Sequence, residues 1–271
     1  MPGPDIRLLL TDVDGTLAPD DKVLTPATLA AVGALRRAGI ALAVTSSRPP
    51  RGMRMLVGPL DLQTPLAGLN GGLIVHPDLS VIACCKLDLA TARRAVALLE
   101  AQGLDVWVYT EADWLVRDAV RPYVAREAWI LQFEPTVVAD FTEAHLADAV
   151  KIVGVSDQPD RVAACEVLAR QTLGDRVSAA RSNAHLLDVT SAGANKGAVV
   201  RRLARLLDIS PMQVATIGDM PNDTLMFAVS GLSIAMGNAS PEVKARAGHV
   251  TGSNADDGFA RAVHGFILPS P

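Results

Sequence analysis

Ile6-Arg7-Leu8-Leu9-Leu10-Thr11 runs directly into Asp12-Val13-Asp14-Gly15-Thr16-Leu17, and this stretch constrains the chain more than any other. A short apolar run closed by a turn signal reads as a buried strand, and it delivers Asp12 and Asp14 where the strand stops. In an open parallel α/β sheet, ligands bind outside the carboxyl ends of the strands, so both carboxylates stand where chemistry is done. Gly15 lets the backbone turn sharply and come close to a ligand.

Two acids one residue apart repel in a pocket unless each has a task or a cation lies between them. Taken as chemistry, Asp12 is a carboxylate nucleophile able to form an aspartyl-phosphate. Asp14 is the acid that protonates the leaving oxygen and later activates water. The plainer alternatives are an Asp-Gly turn that caps a strand, or a calcium loop of the Asp-x-Asp type. An EF-hand is excluded, because its sixth position requires Gly where this chain has Leu17, and no helix precedes the loop.

The next stretch has the rhythm of a parallel crossover. Thr25 and Pro26 stand as N-cap and first helical residue, Leu29, Val32 and Leu35 follow at helical spacing, and Gly39 closes the helix. Residues 40–44 then read as a second buried strand that ends in Ser46-Ser47-Arg48. A short helix is expected over 51–57, and residues 66–69 form a third strand ending in Asn70-Gly71-Gly72.

From about Val81 the pattern changes to α+β. Helices are expected over 90–102, 120–128 and 161–171. A strand pair is expected at 106–109 and 114–116, with further strands at 151–155, 176–180 and 185–189. The α/β rhythm resumes with a helix over 196–207, a strand over 214–217 that ends in Gly218-Asp219, and a last strand over 232–236. Insertions enter at loops between elements. We therefore expect a core domain of residues 1–82 and 188–271, interrupted by an inserted α+β domain over 83–187.

Four clusters thus arrive at strand ends or helix starts: Asp12/Asp14, Ser46/Ser47/Arg48, Asn195/Lys196 and Asp219/Asn222/Asp223. If the strands are parallel neighbours, all four meet in one crevice, and the chemistry indicated is phosphoryl transfer. Asp12 and Asp219, with a main-chain carbonyl near Asp14, would hold Mg²⁺, and Asp223 would support it. Ser46, Ser47, Lys196 and Asn222 would bind phosphate oxygens. Like-charge pairs a few ångströms apart cost ~4 kcal/mol each at an effective dielectric near 20, so a phosphate dianion is excluded from these acids without a divalent cation. With Mg²⁺ and Lys196 the cluster comes near neutrality if Asp14 carries a proton. Read alone, Lys196 is equally a solvated lysine at a helix start.

Asp12-Val13-Asp14-Gly15-Thr16-Leu17, Ser46, Lys196 and Gly218-Asp219-Met220-Pro221-Asn222-Asp223 resemble the four ordered motifs of the haloacid dehalogenase (HAD) superfamily of phosphatases. Ala235-Met236-Gly237-Asn238-Ala239, Glu242-Val243-Lys244 and Asp257-Gly258 are similar to the narrower Cof-type sugar-phosphate phosphatases. The resemblance implies an α/β fold with a Rossmann-like parallel-sheet core and a large cap inserted after the third strand. It also implies Mg²⁺, an aspartyl-phosphate on Asp12 and acid/base work by Asp14. The chain departs from that pattern at Ser46-Ser47-Arg48, where the family usually carries Thr-Gly-Arg.

Composition narrows the partners. The net charge of −4 and a 4% share of aromatic residues argue against nucleic acid and anionic membranes. Cys84, Cys85 and Cys165 form neither a disulfide framework nor a CxxC site, which suits a reducing cytoplasm. No basic segment followed by an apolar stretch opens the chain, and no run reaches the ~18 apolar residues of a membrane span. The absence of GxGxxG and GxSxG disfavours nicotinamide enzymes and serine hydrolases.

The expected substrate is a small phosphorylated metabolite, a sugar or polyol phosphate, contacted by Arg48, Asn70 and Gly71 from the core. Glu111, Asp113, Arg181 and His185 are the cap candidates, and Trp107, Trp114 and Trp129 are expected to pack the cap. A phosphomutase and a non-catalytic phospho-ligand binding protein are the competing readings. Dehalogenation is disfavoured, because it would leave Asp14 idle.

Overall fold

The structure is a computed structural model and describes residues 5–19 and 23–268. The chain begins with β1 (Leu8–Thr11), α1 (Pro26–Arg37), β2 (Ala41–Thr45), α2 (Arg54–Leu60) and β3 (Leu66–Gly68). Two further strands, β4 (Leu73–Val75) and β5 (Val81–Cys84), fold back antiparallel beside β3. Helix α1 starts as its sequence dictates: Thr25 accepts a hydrogen bond from the Thr28 amide, and Pro26 takes the first helical position.

The middle of the chain forms α3 (Leu89–Ala101), β6 (Asp105–Tyr109), β7 (Trp114–Val116), α4 (Val124–Leu131) and β8 (Thr136–Val137). It continues through α5 (Glu143–Ala147), β9 (Lys151–Val155), α6 (Pro159–Leu173), β10 (Val177–Asn183) and β11 (Leu186–Ser191). The last part comprises α7 (Lys196–Leu206), β12 (Val214–Gly218), α8 (Thr224–Phe227), β13 (Leu232–Ala235), α9 (Pro241–Lys244), β14 (His249–Val250) and α10 (Gly258–Ala262).

These strands make two sheets, ordered β14-β13-β12-β1-β2-β3-β4-β5 and β10-β11-β9-β6-β7-β8. In the first, β14 through β3 are parallel neighbours, as the crossover rhythm predicts. The second sheet is antiparallel apart from its β7/β8 edge. The chain is thus a mixed α/β protein with a parallel-sheet core and a second, capping sheet.

The sheets place the domain limits differently from the sequence reading. Strand β5 pairs within the first sheet and all of β11 within the second. The chain therefore crosses between sheets at residues 85–88 and 192–195. The capping segment leaves after the antiparallel pair β4/β5, not directly after β3. Hydrophobic periodicity identifies a strand but not the sheet it joins, which is why the limits shift by a few residues.

Strand parity orients the second sheet. Along β6, Val106 and Val108 pack with α3 and α6 residues such as Leu99 and Val162, whereas Trp107 and Tyr109 belong to the apolar cluster that includes Met53 and Leu69 of the first domain. One face of the cap sheet is therefore covered by its own helices, and the other, aromatic face looks toward the core. Lys151 and Val153 on β9, and Leu186 and Asp188 on β11, share that inward face.

Candidate active site

Parallel pairing brings the ends of β1, β2 and β12 side by side, with Thr11 in register with both Val44 and Ile217. Asp12, Ser46 and Asp219 follow those ends within a residue or two. Lys196 opens α7, whose N-cap Asn195 accepts from the Ala198 amide at 2.9 Å. The Lys196 ammonium is 1% exposed and donates to Asp12 Oδ1 and Asp223 Oδ1, each at 2.5 Å. It is a fixed bridge between opposite ends of the chain, not a solvated helix-start lysine.

The acidic loop is internally braced. Asp223 Oδ2 accepts the main-chain N–H groups of Asp219 and Met220 at 2.9 and 2.8 Å. Thr16 donates to Asp219 Oδ1 at 2.8 Å, and Asn238 donates to the Gly15 carbonyl at 2.9 Å and to Asp219 Oδ2 at 3.3 Å. Gly15 is obligatory for this approach: at φ +78 a Cβ would lie 2.4 Å from Asp219 Oδ2.

Asp12, Asp219 and Asp223 each present a carboxylate oxygen, all within 4.8 Å of one another. Burial pushes the Asp12 carboxyl up to about 7; Lys196 pulls it back down without cancelling the effect, and Asp223 and Asp14 add to the rise. Asp219 is raised well above the usual carboxylate range, first by burial and then by Asp12 and Asp223. Burial opposes the charged form of Lys196, yet Asp12 and Asp223 together hold its pKa above the ordinary lysine value. One ammonium thus shares two carboxylates while a third stays uncompensated. An all-oxygen donor set with surplus negative charge is the chemistry that suits a hard divalent cation.

Asp14 is not part of that triad. Its carboxylate is gripped by Arg48 in a bidentate pair, Nε to Oδ2 at 2.6 Å and Nη2 to Oδ1 at 2.5 Å. Arg48 also donates to the carbonyls of Gly52 and, across the domain seam, Ile130, both at 3.2 Å. This changes the charge balance expected from sequence. Asp12, Asp14, Asp219 and Asp223 face two cations, Lys196 and Arg48, so a divalent cation completes neutrality with Asp14 ionised.

The other expected residues fall into two groups. Ser46 is buried and its hydroxyl accepts from the Arg48 amide at 3.1 Å. Ser47 and Arg48 line a cavity of about 350 Å³ between the two sheets, together with Asp14, Gly15 and Asp219. Asn70, Gly71 and Asn222 do not line it. The Asn70 amide is occupied by Asp188 at 2.7 Å and Asn222 at 3.0 Å. Gly71, at φ +90, lies against α7, where a Cβ would come 2.5 Å from Val199.

From the second sheet, His185 lines the cavity, stacked on Tyr123 with ring centroids 4.5 Å apart. Arg181 instead pairs with Glu166 at 2.7 Å, and Glu111 and Asp113 sit in the exposed β6/β7 turn, outside the cavity lining. Trp107 and Trp114 are buried against each other at 5.2 Å, with Trp107 also forming cavity wall, whereas Trp129 is 52% exposed. Sequence reasoning missed Tyr123, Arg126, Glu127 and Lys151, all of which line the cavity. Lys151 had a signal: it is a charge at a position sharing strand parity with inward-facing apolar residues.

A buried acid triad with an inserted lysine, at the strand ends of a parallel sheet beneath a second sheet, defines a phosphoryl-transfer hydrolase. The profile of the haloacid dehalogenase-like hydrolases matches residues 9–263, and the chain belongs to that family. It is a HAD-superfamily phosphatase of the Cof type. It is 28% identical to an HMP-PP phosphatase of Cronobacter sakazakii, covering 90% of this chain and 89% of that one. It is 25% identical to a 5-amino-6-(5-phospho-D-ribitylamino)uracil phosphatase of Bacillus subtilis, covering 94% and 95%. A haloacid dehalogenase-like hydrolase from Bacillus subtilis superposes with a TM-score of 0.87 at 23% identity, over 97% of this chain and 100% of that one. No helix among the described residues is long and apolar enough to cross a membrane.

Proposed function

We propose that the protein hydrolyses phosphate monoesters of small polyol or sugar metabolites, using Mg²⁺ and an aspartyl-phosphate on Asp12. The observation that carries this reading is the double engagement of Lys196 by Asp12 and Asp223 within a carboxylate triad beside a cavity of metabolite size. A relative acting on a phosphorylated ribityl compound supports the polyol class. The free cysteines Cys84, Cys85 and Cys165 are consistent with a cytoplasmic protein.

Asp12, Asp219 and Asp223, with the main chain at Asp14, would hold Mg²⁺, which supplies charge neutralisation for the phosphoryl oxygens. Lys196 fixes Asp12 through Oδ1, so Oδ2 is the oxygen that bonds to phosphorus as the P–O ester bond breaks. When the phosphate dianion adds its charge to the site, Asp14 takes up a proton and delivers it to the departing alkoxide. In the second half-reaction Asp14 takes a proton from water, the water oxygen bonds to phosphorus, and the bond to Asp12 breaks. The Arg48 pair holds Asp14 in line and stabilises its ionised form for that step. Ser46, Ser47 and Lys196 offer hydrogen-bond donors to the phosphate.

The test is phosphate release from 4-nitrophenyl phosphate with Mg²⁺, alongside acid-quenched trapping of a phosphoprotein. Label that maps to Asp12 supports the reading; turnover surviving Asp12→Asn refutes the nucleophile.

A further inference from the structure

Away from the acid triad, the seam between the sheets holds a second buried polar chain. Asp188, on the inward face of β11, is 1% exposed. Its Oδ2 accepts from Asn70 Nδ2 at 2.7 Å, and Asn70 Oδ1 in turn accepts from Asn222 Nδ2 at 3.0 Å. Asp188 Oδ1 lies 3.2 Å from Lys151 Nζ but makes no hydrogen bond. The only hydrogen bond of this buried carboxylate among the described residues is therefore the one to Asn70.

A carboxylate buried this deeply carries a large desolvation cost, and its pair with Lys151 is not by itself a reason for its presence. Its placement gives one. Asn70 occupies a left-handed turn (φ 57), and its main-chain N–H donates to the Ser46 carbonyl at 2.9 Å. Lys151 donates to the next carbonyl, that of Ser47, at 2.8 Å. At the far end, Asn222 lies one residue before Asp223, and its own Oδ1 is buried without a partner. Two cap residues thus hold the phosphate turn after β2, and through Asn70 one of them also holds the acidic loop after β12.

We infer that Asp188 is a positioning residue: through Asn70 it sets the geometry of Ser46 and of the Pro221–Asp223 turn, so the two core loops are aligned only while the cap is docked. Asp188 touches neither the phosphate site nor the reacting atoms. The inference rests on the phosphatase reading for its kinetic consequence but not for its structural one.

The test is a double-mutant cycle. Asp188→Asn keeps an acceptor for Asn70, whereas Asp188→Leu removes it. Asn70→Gly deletes the relay without straining a left-handed turn. With 4-nitrophenyl phosphate, kcat falls ~100-fold in D188L and less than about 5-fold in D188N, with KM changing little in either, as misplacement of aligned groups requires. In the N70G background D188L causes no further loss; losses that multiply, or equal losses in D188N and D188L, overturn the relay.

Hydrogen exchange supplies a readout independent of turnover and separates failure of this inference from failure of the phosphatase reading. Amides of residues 66–72 and 219–224 exchange faster in D188L and N70G alike, and keep wild-type rates in D188N. Should D188L not fold, the D188N and N70G pair still decides: unchanged exchange in 219–224 on Asn70→Gly refutes the coupling.

Discussion

The acid triad and the cavity above it are built on opposite terms. Below, Asp12, Lys196, Asp219 and Asp223 are held by short bonds within one sheet edge, and each side chain has a fixed partner. Above, the cavity wall mixes rigid aromatics with Arg126, which is exposed and makes no ion pair among the described residues. On the proposed function, the chemistry common to all phosphate esters is fixed below, and the wall facing the leaving group carries the exposed Arg126. The difference teaches where substitutions should abolish reaction and where they should redirect it.

The largest effect should come from Asp12→Asn. We expect phosphate release to fall by at least ~10³-fold, since a nucleophile has no substitute in covalent catalysis. Thermal melting should not drop, because the change removes a carboxylate whose burial is unfavourable. Chelation of divalent cations should silence the enzyme, and restored Mg²⁺ should return activity and raise the melting temperature, as ligation of the folded state alone requires. A melting temperature indifferent to Mg²⁺ would remove the triad as a metal site.

Next in size is Lys196→Met. Breaking a buried pair leaves uncompensated charge and costs about 3–5 kcal/mol. Denaturant titration should show the loss without Mg²⁺ and partial recovery with it. In the cavity, Arg126→Ala should raise KM for phosphorylated metabolites several-fold, on the order of 1 kcal/mol for one polar contact, and leave kcat for 4-nitrophenyl phosphate nearly intact. Equal losses in both would erase the contrast between the two regions.

The smallest effect concerns Glu127, which accepts a hydrogen bond from Tyr109 and whose pKa burial raises above 4.5. A raised carboxyl binds its proton more tightly folded than unfolded. Stability should therefore decline as pH rises through the interval above 4.5. Melting curves of Glu127→Gln should show a flatter decline over that interval.

The lower region was legible because its residues come as strand ends followed by acids, hydroxyls or lysine, and parallel pairing makes such ends converge. What Arg48 does was not legible, since nothing in Ser46-Ser47-Arg48 says that the guanidinium turns back onto Asp14 and balances its charge in the resting site. The upper region resists reading for a physical reason. Tyr123, Arg126 and Glu127 sit at the start of α4, which begins at a left-handed Tyr123 with no side-chain cap, so the helix expected from residue 120 starts later. Polar residues on a short surface helix look solvated until a second sheet is laid over them. Asn70 was expected as a substrate contact for its place in the turn after the third strand, yet the cap strand β11 buries it.

The two chain crossings also decide how the cap can travel. Cys85 is tied to the Gly72 carbonyl at 2.7 Å, and its sulfur lies 3.6 Å from where a side chain on Gly193 would begin, so the outgoing and returning backbones form one narrow neck. Strand pairing is confined to each sheet, so torsions in those few residues would turn the upper sheet as a flap without breaking a pairing on either side. Such an opening would cost only the seam contacts, and a product would leave without any part of either sheet unfolding.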